Sequence, residues 1–192
     1  MEEFRLQYPL SESSLVLDAG AYHGDFISWC RDRWRCDVYA FEPTKVFYEN
    51  VVRRFVDDTH VRVFHYGIGA CTETVPIAIK GDATSAYFDS HQSGNIETVQ
   101  LKDVVEVFAG LGALEADLFK IDIEGGEYSL LKRMLDTGLV ARVRYFQVQY
   151  HGIGAGPEGP AIARDRIRAR LSETHKEEWC VNGGQWESWA RR

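Results

Sequence analysis

Short apolar runs and longer stretches of helical periodicity take turns along the first half of this chain. Leu15-Val-Leu-Asp18 reads as a buried strand, and Asp25 to Arg35, just after Gly24, as a helix. Asp37-Val-Tyr-Ala-Phe-Glu42 predicts a second strand that Pro43 ends, because proline cannot donate to the ladder. Thr44 is placed to cap a helix running to Val56, with Val46, Phe47, Val51, Val52 and Phe55 on its apolar face. Val61-Arg-Val-Phe-His65 follows as a third strand. Connections this short between strand, helix and strand favour right-handed crossovers, so the pattern predicts a doubly wound α/β domain with a parallel sheet.

The middle is less regular. Thr74 to Lys80 alternates like a half-exposed strand, 81–94 is polar and loop-like, Ile96 to Leu101 alternates again, and Lys102 to Phe108 predicts a short helix. The buried pattern returns at Asp117-Leu-Phe-Lys-Ile-Asp-Ile123, then as a helix over Glu127 to Leu135 and a strand over Val143 to Tyr150. A glycine- and proline-rich loop leads to a basic helix from Ala161 to about Thr174, whose arginines between Arg164 and Arg170 read as a solvated face. Glu178 to Val181, the turn Asn182-Gly-Gly184 and Gln185 to Trp189 form a hairpin signal. Its Trp179, Trp186 and Trp189 are expected to pack in the core, and secondarily offer a surface for a homodimer or a sugar.

Composition narrows the function classes. At 192 residues the chain fits one domain. We divide it into a cofactor half at about 14–70 and acceptor elements at about 81–95 and 117–160. A net charge of −7 argues against affinity for nucleic acid or an anionic membrane surface. No apolar run approaches the roughly 20 residues that span a bilayer. Cys30, Cys36, Cys71 and Cys180 lack zinc or redox-pair spacing, and with no leader ahead of the first strand we expect reduced thiols in a cytoplasmic chain, free or attached to a larger multidomain protein.

In an open α/β sheet, ligands bind beyond the carboxyl ends of the strands, near the reversal of strand order. The tips there read Asp18-Ala-Gly-Ala-Tyr-His-Gly24, Glu42-Pro43, Asp122-Ile-Glu-Gly-Gly-Glu127 and Gln149-Tyr-His151. Their acidity is informative, since a pyrophosphate site prefers bare amides and a basic residue, and no P-loop sequence is present. A carboxylate after the second strand suits ribose hydroxyls, and one beside the first glycine turn suits an ammonium group, a pairing that describes S-adenosylmethionine. NAD competes for the same acid. Against it, Tyr22 stands where the second dinucleotide glycine would admit the pyrophosphate. A non-catalytic Rossmann-like interaction module is the third alternative.

Val16 to Phe26, Tyr39-Ala-Phe-Glu-Pro43 and Phe119-Lys-Ile-Asp-Ile-Glu-Gly-Gly-Glu-Tyr-Ser-Leu-Leu-Lys132 together resemble the FkbM-type S-adenosylmethionine-dependent methyltransferases. The last segment is close to that family's K-I-D-x-E-G-x-E-x-x-x-L pattern. Tyr22 and Gln149 depart from it, standing where the family commonly has an asparagine and an acid. The resemblance implies a class I methyltransferase fold, mostly parallel with an antiparallel C-terminal hairpin strand. It implies O-methylation of a hydroxyl on a sugar, glycan or related natural product.

On that reading Asp18, Gly20, Ala21, Tyr22, Gly24, Glu42, Ile68 and Asp122 hold the donor, and Asp82, Ser85 and Glu124, with Thr84 nearby, meet the acceptor. Asp122 contacts the methionine end or the acceptor hydroxyl. His151 is the expected general base, ahead of His65 and His91, because an alcohol acceptor needs a group titrating near neutrality. Asp122, Glu124 and His151 have the donor atoms for a divalent metal, but their types are explained without one and none is expected.

Overall fold

The computed structural model describes residues 3–79, 95–112 and 115–192. The main sheet has seven strands: β1 (Leu15–Ala19), β2 (Asp37–Phe41), β3 (Val61–Phe64), β7 (Ala116–Ile121), β8 (Val143–Gln149), β9 (His175–Val181) and β10 (Trp186–Arg191). Their spatial order is β3-β2-β1-β7-β8-β10-β9. The first five run parallel, while β10 pairs antiparallel with both β8 and β9. The strand order therefore reverses at β1, between β2 and β7, which is where the sequence concentrates its acids.

Alternation along each strand feeds two cores. Leu17, Phe41, Phe119 and Phe146 face the helices α3 (Val104–Gly110), α4 (Glu127–Asp136) and α5 (Pro160–Leu171), packing with Leu130, Leu131 and Met134. Val16, Val38, Ala40 and Leu118 face α1 (Asp25–Trp34) and α2 (Lys45–Arg54) through Phe26, Ile27, Cys30 and Val51. β1 is buried at every position, so Asp18 within it is a charged exception.

A small second sheet, absent from the sequence reading in one strand, flanks the switch point. β4 (Gly67–Gly69) lies parallel to β6 (Asn95–Asp103), and β5 (Glu73–Ile79) lies antiparallel to β6 on its other side. The expected helix over 102–108 begins later, because β6 continues to Asp103, whose carboxylate accepts the Val105 N–H at 2.9 Å and so caps α3. Thr44 makes no side-chain cap. Its own N–H is taken by Glu42 Oε1 at 2.9 Å.

The arginines of α5 are a solvated face only in part: Arg166 is exposed, while Arg164 and Arg168 are drawn toward β10. Arg168 reaches the fully buried Glu187 of β10 at 2.6 Å, Arg170 reaches Asp136 at 2.7 Å, Arg166 pairs with Glu158, and Arg164 donates to Gly183 O at 3.1 Å. They fasten the helix to its neighbours. Trp186 and Trp189 are buried as expected, Trp186 with the Arg5 guanidinium 3.4 Å from the centre of its ring. No described helix is long and apolar enough to cross a membrane.

Candidate active site

The tips of β1, β2 and β7 enclose a cavity of about 280 Å³, closed on its far side by β4, α2 and the small sheet. Gly20, Tyr22, Glu42, Ile68, Asp122 and Glu124 line it, so six of the expected residues meet in one space. Pro43, Phe47, Val99 and Leu101 add an apolar wall beyond Glu42. The described lining carries four carboxylates, Glu42, Glu73, Asp122 and Glu124, and no lysine, arginine or histidine.

Gly20 is what lets the tips converge. Its φ is +82°, and a Cβ there would lie 2.0 Å from the backbone oxygen of Asp122. Only glycine allows both the left-handed turn and that approach. Tyr22, at φ +49°, repeats the left-handed conformation with a side chain, held because its N–H donates to Glu42 Oε2 at 2.9 Å and its ring packs edge-on to Phe47 at 4.6 Å. Tyr22 is therefore a wall of the cavity fixed from two sides.

Glu42 holds one amide on each oxygen, Tyr22 N–H and Thr44 N–H, and the Thr44 hydroxyl adds a further hydrogen bond. Burial pushes its pKa up to about 7, against the pull of those amides. Ile68 is buried against the same cavity.

Three of the expected donor ligands stand back. Asp18 is fully buried beneath the cavity, with the ammonium of Lys120 3.1 Å from its Oδ1 compensating its charge. Ala21 is buried and off the lining. Gly24 is the N-cap of α1, where an added Cβ would meet the Phe55 ring at 2.8 Å, so it serves packing of α1 on the segment following α2. Asp82 and Ser85, together with Thr84 and His91, fall outside the described residues. His65 stacks on Tyr48 at 4.4 Å, away from the lining.

His151 sits behind the β7 tip in a cage of carboxylates. Its Nδ1 is 3.0 Å from Glu127 Oε1, and its Nε2 is 3.3 Å from Glu124 Oε1 and 3.8 Å from Asp122 Oδ1. Burial works against a charge on the ring, but the hydrogen bonds to Glu124 and Glu127 and their charges prevail and push its pKa up to about 10. The expected neutral base is thus an imidazolium at pH 7. It carries a proton where the sequence reading wanted a group ready to take one.

Glu127, read from the sequence as a helix cap, does more than cap. Its carboxylate is fully buried, accepts the Gly125 N–H at 2.9 Å, and also accepts the His151 N–H at 2.6 Å. Tyr128 Oη donates to His151 O at 2.5 Å, so the first turn of α4 grips both the N–H and the C=O of His151. Gln149 supports the neighbouring acid once its amide is oriented with the nitrogen toward Asp122, which puts that nitrogen 3.1 Å from each carboxylate oxygen. One acidic oxygen each from Asp122 and Glu124 and a ring nitrogen of His151 lie within 4.8 Å of one another, a spacing a divalent ion could use after displacing the imidazole proton.

A Tyr-x-x-x-Lys spacing, the pair an oxidoreductase of this architecture could use, does occur at Tyr128 and Lys132. Its members are engaged elsewhere: Tyr128 with His151 O, and Lys132 with Asp136 at 2.6 Å, and neither lines the cavity.

A family model, the methyltransferase FkbM domain, matches residues 18–173. No curated protein is matched by direct sequence comparison. Among solved structures, the methyltransferase FkbM from Methylobacillus flagellatus KT superposes with a TM-score of 0.64 at 15% identity, over 98% of this chain and 46% of that protein. This chain therefore spans less than half of that relative's length. Aeropyrum pernix fibrillarin, in a complex with natively bound S-adenosyl-L-methionine, gives a TM-score of 0.56 at 13% identity over 97% of this chain and 70% of its own. The N-terminal domain of human METTL16, in complex with SAH, gives 0.50 at 11% identity, over 93% and 61%. At these identities the structural likeness speaks to the fold.

Proposed function

Because this chain belongs to the FkbM methyltransferase family, we propose that it transfers a methyl group from S-adenosylmethionine to a hydroxyl oxygen of a sugar, glycan or related natural product. The observation that carries the reading is the meeting of Glu42, the Gly20 turn and Asp122 in one cavity whose described lining has no cation.

The residues fit that donor. The Gly20 cradle, which a Cβ would fill, brings backbone close to whatever occupies the switch point. Glu42 faces the cavity as an acceptor for ribose hydroxyls, and Pro43, Ile68 and Leu101 offer an apolar slot for a purine beside it. An acidic wall suits a sulfonium and an ammonium and opposes a pyrophosphate, which separates this donor from NAD.

When bound, the donor supplies a methyl on positively charged sulfur, whose displacement leaves a neutral thioether. The protein's task is alignment and removal of one proton. Glu124, facing the cavity, is the group positioned to accept the hydroxyl proton, and Asp122 meets the methionine end, with the His151 imidazolium holding both in place from behind. His151 thus orients the acids and offsets their mutual repulsion.

Calorimetric titration with S-adenosylmethionine, S-adenosylhomocysteine and NAD tests the donor, and a labelled-methyl screen of sugars and glycans tests the acceptor. Binding of the two sulfur nucleotides and not NAD is expected. A chain that binds neither sulfur nucleotide refutes the donor reading, and label appearing only on nitrogen or carbon acceptors refutes the hydroxyl.

A further inference from the structure

Lys120 sits in a buried polar row that crosses the sheet through Asp18, Lys120, Gln147 and Ser188. β7 is nearly closed to solvent, and on the same face Lys120 has Leu118 along its strand, Asp18 in register on β1 and Gln147 in register on β8. Its side chain is 7% exposed. An ammonium taken this far out of water is costly unless its protons are engaged.

Its partners are distinctive. Nζ donates to Gly20 O at 2.8 Å and lies 3.1 Å from Asp18 Oδ1 and 3.5 Å from Asp122 Oδ2. Asp18 alone would neutralise it. The other two contacts reach groups that line the cavity, the turn after β1 and the acid after β7, so the ammonium ties the two tips together directly behind the switch point.

We propose that Lys120 is a positioning residue for the methionine end of the donor, fixing the Gly20 turn and the Asp122 carboxylate from beneath. The inference rests on the donor reading given above. Lys120 touches no ligand itself; with Asp18 it forms a matched pair, so the charge presented to the cavity is that of Asp122.

A paired substitution separates positioning from bulk stability. Asp18→Asn with Lys120→Met removes both members of the matched pair, leaves the local net charge unchanged, and deprives Gly20 O and Asp122 of their shared donor. The purified chain is titrated with S-adenosylmethionine and S-adenosylhomocysteine by calorimetry, and its Tm is read alongside. The expected result is a Tm near that of the unsubstituted chain and Kd values raised about tenfold to a hundredfold for both ligands, the loss of a charge-assisted hydrogen bond expressed as affinity.

Equal loss for the two ligands is the mark of positioning at the amino-acid end, which both share, since the paired substitution leaves the local charge unchanged; a loss confined to S-adenosylmethionine would fall on the sulfonium instead. Unchanged Kd values, or a loss confined to S-adenosylmethionine, overturn the inference. Where the double variant does not fold, Asp18→Leu with Lys120→Leu, an apolar pair that also lacks the donor, is read in the same way, and unchanged affinity for both ligands overturns it again. If the unsubstituted chain binds neither ligand, the donor reading fails first.

Discussion

Replacing Gly20 with alanine is the sharpest test of the switch-point geometry, and the chain supplies its own control. Gly138 has a similar φ of +72°, yet an added Cβ there meets nothing within 4 Å. Gly138→Ala therefore isolates the cost of forcing an alanine into the left-handed region, about 1 kcal/mol. Gly20→Ala carries that cost as well, and adds a Cβ placed 2.0 Å from a backbone oxygen that belongs to the adjacent strand tip.

Backbone cannot swing aside as a flexible side chain does, so the tips of β1 and β7 must part. Three hydrogen bonds cross or flank that seam: Asp122 N–H to Ala19 O at 3.2 Å, Gly20 N–H to Phe41 O at 3.0 Å, and Lys120 Nζ to Gly20 O at 2.8 Å. Weakening them at about 1 kcal/mol each, on top of the conformational cost, gives a loss of about 4 kcal/mol. That is a large share of the roughly 5–15 kcal/mol that holds a domain together. Urea unfolding followed by tryptophan fluorescence measures both variants. A Gly20→Ala protein within about 1 kcal/mol of Gly138→Ala would show that the two tips are not in the contact described, and the account of the cavity would fall with it.

Other expectations follow from the buried charges. The His151 ring, with a pKa raised from 6.5 to about 10, contributes stability that is complete below pH 6.5 and is lost as pH rises toward 10. Its NMR resonances should stay flat from pH 5 to about 8, and a midpoint near 6.5 would contradict the carboxylate cage. Glu42 behaves in the opposite sense to an ordinary ion-paired acid. Raised from 4.5 to about 7, it makes the fold bind a proton more tightly than the unfolded chain does, so stability falls as pH rises through that window. Glu42→Gln should flatten the dependence in pH-stepped urea melts, and an unaltered slope would point to another group. Glu127→Ala leaves Gly125 N–H, His151 N–H and the His151 ring without their acceptor. A loss of about 3 kcal/mol or more in the same melts is expected, and a near-neutral variant would mean that water replaces Glu127 at no cost.

The parts of the fold that could be read from the sequence are those whose physics is local. β1 and β7 carry buried-strand patterns with an acid at or just past the carboxyl end, and that pattern already places Asp18, Asp122 and the cavity near them. β4 escaped notice because Gly-Ile-Gly carries no strand propensity; it is a strand only because β6 lies beside it. The charge of His151 was equally out of reach. It depends on Asp122, Glu124 and Glu127, more than twenty residues away in sequence, closing around the ring from the β7 tip and α4. Gly154 belongs to the same class. Its composition reads as loop, but an added Cβ there would lie 2.0 Å from Gly125 O, so the loop after His151 is pressed onto the β7 tip. The arginines of α5 looked solvated because their partners, Glu187 and Asp136 among them, are distant in sequence.

The position of β10 sets an order of assembly during synthesis. It lies between β8 and β9 although it follows both in the chain, and Gln185, just before it, accepts the Tyr150 N–H at 2.7 Å. Until residues 186–191 have left the ribosome, β8 presents a raw sheet edge rich in apolar side chains, the kind of surface that pairs with other nascent chains. The cofactor half can condense early around β1, β2 and β3. The strand that delivers His151 stays unpaired on that side until β10 docks, and that interval is when this edge is most open to pairing with another chain.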